Sequence, residues 1–299
     1  MKKDEKINWN LIIRWAGTFL SIAILYYLFR QIGAEETWAA VKKISLWRAA
    51  AVLGLVFVSR LATWGRWHTL LQVQSLRVRW QDSLRLTFAG LFASNVLPTT
   101  IGGDVVRLAG AVRLGIDTAL AAASLVADRL VGMTGMALAL PFAIPAVRIY
   151  LKAKSATDAS ASLALSAFFP GLMQKLQRAL KKVLDNFGFW LRHPLILARA
   201  LGFTFIHMLA TFLIVQILVE GMGESISLDR IAGLWSLTYF ISLIPISING
   251  LGLQELTITN LFSALGGLQP STSITLAVIL RVVWMIGSLP GAFVLGGII

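Results

Sequence analysis

The sequence has no cysteine and only three histidines, so it offers few groups that bind a transition metal. Without thiols, disulfide bonds, thiolate metal sites and cysteine nucleophiles are excluded. The histidines are too far apart in sequence to indicate a local zinc motif. The sequence also lacks a nucleotide-binding loop and the motif of an activated nucleophile. We therefore expect no metal, no cofactor and no enzymatic reaction.

Charged residues are scarce as well, and acidic residues are the scarcer of the two kinds. Charged side chains make up 14% of the chain, and 27 lysines and arginines against 14 aspartates and glutamates give a net charge of +13. A basic protein can bind nucleic acid, but 57% of the residues in this chain are hydrophobic. We therefore assign the excess positive charge to cytoplasmic loops beside anionic lipid, and we expect no nucleic-acid partner.

The sequence is rich in apolar runs that approach the length needed to cross a bilayer, which is about 20 residues. We predict an all-α fold, a polytopic integral membrane helical bundle that forms one transmembrane domain over residues 1–299. Lys2, Lys3 and Lys6 precede the first run and place the N-terminus in the cytoplasm, so we expect a multi-pass protein of the cell inner membrane. The predicted crossings are 11–29, 47–65, 118–147, 200–219, 231–248 and 271–295.

Two other apolar segments are interrupted by proline and glycine and are predicted to be re-entrant or broken helices. Residues 83–97 lead into the first interruption, and residues 250–268 follow the second. Irregular backbone at membrane depth is tolerated only where protein shields it or where it lines a wet cavity. The residues at these breaks are Asn95, Pro98, Gly102, Gly103, Pro245, Asn249, Gly250 and Gly252.

The two interruptions lie at corresponding positions in two halves of the chain, about 47–147 and 195–299. Paired interruptions of this kind are typical of transporters that have an inverted repeat and a binding site near mid-membrane. The alternative is a chance similarity between two glycine-rich breaks. Residues 148–194, between the halves, are predicted to form a loop and an amphipathic helix on the membrane surface.

Charged side chains inside the apolar segments are the candidate functional residues. From residue 231 to 299 the charged side chains are Glu255 and Arg281 alone. A charge at membrane depth is costly, so it is usually paired, turned inward and functional. We expect Arg281 to pair with Glu255 or another internal carboxylate when no lipid is bound, and we expect Asp104 and Arg107 to share one helix face because they are three residues apart.

These charges suit a phospholipid headgroup. Arginine presents a planar set of donors to a phosphodiester, whereas carboxylates pair with the arginines or with an amino headgroup. The alternative is that the charges form salt bridges that only fix helix packing. We expect Asp104 and Glu255 to face one internal cavity. The predicted lipid-headgroup site comprises Asp104, Arg107, Asp128, Arg129, Glu255 and Arg281.

Other polar residues in or near the predicted crossings are assigned structural roles. We interpret Arg60, Arg66 and His68 as anchors at the membrane surface, and His207 as a packing residue.

An ordered set of short motifs extends from about residue 64 to residue 295. They are RWHTLL at 66–71, NVLP at 95–98, IGGDVVR at 101–107, DRL at 128–130, NGLGLQE at 249–255 after Pro245, and LR at 280–281. Together they resemble the membrane domain of lysylphosphatidylglycerol synthases and their stand-alone, flippase-like relatives. The chain departs from that family in two ways. It has Asp104 where the family often has glutamate, and the apolar crossing expected after Asp128 and Arg129 is poorly preserved in this sequence.

The resemblance implies a lipid-binding transporter that holds an aminoacylated or otherwise polar-headed lipid in a cavity and moves it between leaflets. Its partners would be the membrane and a phospholipid or lipid-linked substrate. One alternative is an integral membrane enzyme on a lipid-linked substrate, with Asp104, Asp128 or Glu255 as acid or base. Another is a non-transporting partner of a lipid-modifying enzyme. A homodimer through the small residues Gly287 and Gly291 is a further hypothesis.

Overall fold

The computed structural model describes residues 34–72, 78–96, 102–155, 193–244 and 250–295, and these ranges are helical without any strand. The all-α prediction is confirmed. The predicted crossing at 11–29, most of the segment 148–194, and the break residues Pro98, Pro245 and Asn249 lie outside the described residues.

The helices are numbered here in chain order. They are α1 (Ala34–Lys42), α2 (Leu46–Leu71), α3 (Trp80–Val96), α4 (Gly102–Arg113), α5 (Thr118–Ala139), α6 (Ile144–Ser155), α7 (Pro194–Gly221), α8 (Leu228–Ser242), α9 (Leu253–Ala264), α10 (Pro270–Ile286) and α11 (Ala292–Leu295), with 3-10 turns at Leu140–Ala143 and Leu289–Gly291.

Local sequence explains several of the helix starts. Asp117 precedes α5 and its side chain accepts a hydrogen bond from the backbone N–H of Leu120 at 3.0 Å, which satisfies a donor that the first turn leaves free. Pro194 and Pro270 occupy the first turn of α7 and α10, where proline's missing N–H costs nothing.

Among the described residues, four stretches are long and apolar enough to cross a bilayer: Leu46–Leu71, Thr118–Leu151, Pro194–Gly221 and Pro270–Val294. They coincide with four of the predicted crossings. The chain is thus a polytopic helical membrane protein.

The predicted crossing at 231–248 differs from the structure. The corresponding helix, α8, has 15 residues and ends at Ser242, so at about 1.5 Å per residue it is too short for a full crossing. A proline follows at position 245, and proline disfavours the helical conformation of the residue before it.

Helix α8 lies at the centre of the bundle. Its residues from Ile231 to Thr238 are all buried, which is the pattern of a helix surrounded by others rather than of one with a solvent or lipid face. Gly233 allows a close approach, since a Cβ there would lie 2.3 Å from the backbone nitrogen of Ala143. The main hydrophobic core joins α8 to α2, α5, α7, α9 and α10.

Helices α3 and α4 pack against each other as an antiparallel hairpin. Gly103 faces Ser94 and Gly90, and a Cβ added at Gly103 would lie 2.1 Å from Ser94 Oγ and 2.3 Å from the Gly90 carbonyl oxygen. Glycine at position 103 is therefore needed for this contact. The hairpin fits the prediction that residues 83–97 enter the membrane and turn back.

Candidate functional site

Asp128 is the centre of a buried charge cluster. It lies on α5, is 2% exposed, and accepts hydrogen bonds on both carboxylate oxygens. Arg66 Nε of α2 donates to Oδ1 at 2.6 Å, and Arg107 of α4 donates to Oδ2 from Nη1 and Nη2 at 3.2 and 3.1 Å. One carboxylate thus ties three helices together.

Asp104 extends this cluster toward the surface. Arg107 Nη1 also donates to Asp104 Oδ1 at 3.3 Å, and Arg129 Nε donates to Asp104 Oδ2 at 2.5 Å. The expectation that Asp104 and Arg107 share a helix face is confirmed. We call Arg66, Asp104, Arg107, Asp128 and Arg129 the paired cluster, because each member forms at least one ion pair within it.

Small and aromatic residues shape the space around the paired cluster. A Cβ at Gly132 would lie 2.9 Å from Arg66 Nη1, and a Cβ at Gly90 would lie 2.7 Å from Arg107 Cγ. The Arg107 guanidinium lies 4.1 Å from the ring centre of Trp67, within the range of a cation–π interaction. The bundle is therefore built to accommodate two buried guanidinium groups.

A second ion pair joins α9 and α10. Glu255 Oε1 accepts from Arg281 Nε, and Glu255 Oε2 accepts from the backbone N–H of Gly252 at 2.8 Å. Gly252 precedes α9 with a φ of 76°, a conformation that favours glycine. The predicted Glu255–Arg281 pair is therefore present, and both oxygens of Glu255 are engaged.

Arg281 also lines a cavity of about 290 Å³ between the spans. Its wall is rich in hydrogen-bonding and aromatic side chains. The lining residues are Arg60, Leu91, Ser94, Asn95, Met136, His207, Thr211, Trp235, Tyr239, Gln254, Arg281 and Trp284. We call this space the central cavity.

The expectation that Asp104 and Glu255 face one cavity differs from this arrangement. Neither acid is on the wall of the central cavity, because each carboxylate is turned toward arginine partners. Of the predicted site residues, Arg281 and Asn95 line the cavity. Asp104, Arg107, Asp128 and Arg129 belong to the paired cluster, and Glu255 lies behind Arg281.

The central cavity lies near the middle of the membrane spans. At about 1.5 Å per residue, Arg60 lies about 21 Å from the first residue of α2 and about 17 Å from its last. His207 lies about 20 Å from either end of α7, and Arg281 about 17 and 20 Å from the ends of the span that includes α10. All three residues are therefore near the middle of helices that are long and apolar enough to cross a bilayer.

Arg60 has no carboxylate partner within 4.0 Å in the part of the chain that the structure describes. Its Nη2 donates to the Trp284 carbonyl at 2.9 Å, and its guanidinium carbon lies 4.6 Å from the Trp284 ring centre. Its Nε is buried and has no acceptor among the described residues. Nearby, His207 Nδ1 and Ser59 Oγ are hydrogen-bonded at 2.7 Å.

Comparison with known proteins agrees with this architecture. The sequence model of the family "Lysylphosphatidylglycerol synthase TM region" matches residues 14–291. The chain belongs to this family. It is also 28% identical over 126 residues to a "UPF0104 membrane protein" of Archaeoglobus fulgidus, a match that covers 42% of this chain and 38% of that protein. The resemblance deduced from the sequence motifs is confirmed, and the paired cluster and central cavity both lie within the family's region.

The roles of Arg60 and Arg66 as surface anchors, expected from the sequence, are wrong. The expectation placed the end of the second crossing at residue 65, whereas α2 continues to Leu71, so both arginines lie inside the bundle. Trp67, the residue after Arg66, is fully buried. The apolar residues Leu70 and Leu71 were the signal that the helix continues past the basic motif.

Proposed function

We propose that this family member is a lipid-binding transporter that moves a polar-headed phospholipid or lipid-linked molecule between leaflets. The observation that carries the proposal is Arg60, a cation at mid-span that faces the central cavity without a carboxylate partner in the described residues. A charge at this depth is costly and is kept where it serves a substrate pathway. An anionic headgroup would supply its missing counter-charge.

The paired cluster supports the proposal by its position. Arg66 is about 8 Å from the end of α2, and Asp128 is about 15 Å from the start of α5. Those two helix ends meet in one hydrophobic cluster with the start of α3 and the end of α4. The charged network therefore lies between one end of the bundle and the central cavity. Polar groups are thus present at successive positions from that end to the cavity.

A third feature at the same end of the bundle suits the approach of a lipid. Arg85 and Arg113 line a surface pocket of about 430 Å³ together with Asp82, Leu114 and Phe293. Phe293 is 91% exposed. Arginines beside an exposed aromatic ring match the interface between lipid headgroups and acyl chains.

Transport is favoured over catalysis by the state of the deep carboxylates. Asp104, Asp128 and Glu255 each accept hydrogen bonds on both oxygens from arginines or backbone. A general acid or base needs an oxygen that can reach substrate. We therefore assign these residues to ion pairs between helices rather than to bond cleavage.

The test is lipid movement by the purified protein alone. The protein is reconstituted into liposomes that contain a fluorescent phospholipid, and the loss of fluorescence after an external, membrane-impermeant quencher is followed over time. We expect quenching to pass the half-way level that protein-free liposomes reach. Quenching that stops at that level for every phospholipid tested would contradict the proposal and favour a non-transporting partner of another enzyme.

A further inference from the structure

The chemistry of the central cavity also indicates which headgroup it takes. This inference rests on the proposed function, since it assumes that the cavity receives a lipid headgroup. We infer that the central cavity binds a headgroup that carries a phosphate and no ammonium group, and that it discriminates against a cationic, aminoacylated headgroup.

The first argument is the supply of donors. Among the residues that the structure describes, the charged ones on the cavity wall are Arg60 and Arg281, and both are cations. Asn95, Gln254 and Tyr239 add neutral polar groups, which can donate to phosphate or glycerol oxygens. Because no carboxylate of the described residues lies on the wall, none of them can form an ion pair with an ammonium group there.

The second argument is that the deep carboxylates are already used. Asp128 is held by Arg66 and Arg107, and Glu255 by Arg281 and the backbone of Gly252. An ammonium group that captured either acid would strand a buried arginine, and breaking a buried ion pair is strongly unfavourable. A cationic headgroup would therefore meet two arginines and gain no free acid from the described part of the chain.

The third argument is where the remaining acids lie. The other acidic residues whose side chains the structure describes are near helix ends rather than at mid-span, and none of them lines the central cavity. These residues are Glu35, Asp82, Asp117, Glu220, Glu224 and Asp229. Selection of an amino headgroup at mid-membrane would need an acid that these positions do not provide.

Arg60 is the residue that we assign to the phosphate. Its side chain lines the cavity, and a guanidinium offers paired donors whose spacing matches two phosphate oxygens. The Trp284 ring and carbonyl hold the side chain in place. Gly287 permits this packing, because a Cβ there would lie 2.3 Å from Val56 Cγ1 and 3.5 Å from Arg60 Nε.

The experiment separates binding from transport. Delipidated protein is incubated with equal amounts of phosphatidylglycerol, phosphatidylcholine and lysyl-phosphatidylglycerol of identical acyl chains, and bound lipid is counted by native mass spectrometry. We expect phosphatidylglycerol to be bound about tenfold more than lysyl-phosphatidylglycerol, the ratio that one good charge-assisted contact provides. Equal or preferred binding of the lysylated lipid would overturn the inference.

Variants connect the selectivity to the cavity. Arg60→Gln is expected to reduce phosphatidylglycerol binding about tenfold and to abolish the discrimination, while Arg60→Lys keeps the charge and retains part of it. Arg199→Gln, which removes an exposed arginine from α7, is the matched control and should bind as the unaltered protein does. Undiminished discrimination in Arg60→Gln would remove Arg60 from the site and overturn the assignment.

Two further measurements distinguish a lipid site from a free-anion site and binding from transport. Excess inorganic phosphate should leave the phospholipid bound, because the acyl chains and apolar walls contribute to binding; displacement by phosphate would make this a site for a free anion. The same lipids are compared in the liposome assay described above. Selective binding without movement would contradict the proposed transport function and leave the headgroup inference standing. Movement of the lysylated lipid in preference to phosphatidylglycerol would support the transport function and overturn the headgroup inference.

Discussion

The paired cluster and the central cavity both contain buried arginines, but they differ in how those arginines are compensated. In the paired cluster, Asp104 and Asp128 bind all three arginines of the group at 2.5–3.3 Å. In the central cavity, Arg281 is paired with Glu255, whereas the partners of Arg60 among the described residues are the ring and carbonyl of Trp284.

This difference separates two uses of the same residue type. A fully paired arginine on a shared carboxylate joins helices, and removing one partner leaves an uncompensated charge. An arginine beside a cavity that has no carboxylate partner among the described residues has no ion pair there to lose, and it is available to a ligand. The comparison predicts that substitutions in the paired cluster mainly affect stability, and that substitutions of Arg60 mainly affect lipid binding.

The largest effect is expected from Asp128→Ala. It leaves Arg66 and Arg107 buried without their shared carboxylate, and the loss of a buried ion-pair partner costs about 3–5 kcal/mol. The melting temperature of the detergent-purified protein should fall sharply, while Glu220→Ala, which removes an exposed acid at the end of α7, should leave it nearly unchanged. Equal melting temperatures for the two variants would break the distinction between the two regions.

Arg281 tests the intermediate case, a paired arginine on the cavity wall. Arg281→Ala strands Glu255 and should cost about 3 kcal/mol of stability as well as transport. Arg281→Lys restores a charge but not the planar donors, so it should fold better and still move lipid about tenfold more slowly. Melting curves and liposome assays on the same preparations give both values. Full transport by the lysine variant would show that Arg281 is purely structural.

A smaller effect is expected from Gly287→Ala. The new methyl group would lie 2.3 Å from Val56 Cγ1, so α2 and α10 must separate, at a cost of about 1–3 kcal/mol. Gly202→Ala is the matched control, because a Cβ there meets nothing within 4 Å. It should be neutral or stabilising by up to about 1 kcal/mol, since alanine favours a helix. Identical melting temperatures for both alanine variants would mean that Gly287 is not needed for this packing.

Gly287 and Gly291 also bear on the hypothesis of a homodimer. Both glycines contact other helices of the same chain: a Cβ at Gly291 would lie 1.9 Å from the Phe88 carbonyl oxygen. The small-residue surface that suggested a dimer is thus covered within the chain. A homodimer stays a prediction without support from these residues.

The sequence predicts the fold where the governing signals are local. Apolar runs of span length indicate the helices, and the three-residue spacing of Asp104 and Arg107 places them on one face because the helix repeats every 3.6 residues. The pair of Glu255 and Arg281 is predictable because these are the only charged residues in a long apolar region and neither is tolerated alone.

The rest depends on how the helices are placed around one another. Arg66 and Asp128 are 62 residues apart in sequence, and their contact requires the relative rotation of α2 and α5, which no spacing rule supplies. The sequence predicts a crossing that ends at residue 65 and so assigns Arg60 to the membrane surface, whereas α2 continues to Leu71. The cytoplasmic N-terminus, the inverted repeat and the surface helix within 148–194 stay predictions.

The measurement that tests the central claim most directly compares Arg60→Gln with Arg66→Gln in one thermal-melting experiment, with and without phosphatidylglycerol. Without added lipid, Arg60→Gln should melt within about 1 kcal/mol of the unaltered protein, because the arginine has no ion pair with a described residue to lose, whereas Arg66→Gln should be destabilised by about 3 kcal/mol or more. Added phosphatidylglycerol should stabilise the unaltered protein and fail to stabilise Arg60→Gln. If Arg60→Gln lost as much stability as Arg66→Gln and kept its response to lipid, Arg60 would be a structural residue. That result would contradict the proposal that the central cavity binds the lipid headgroup.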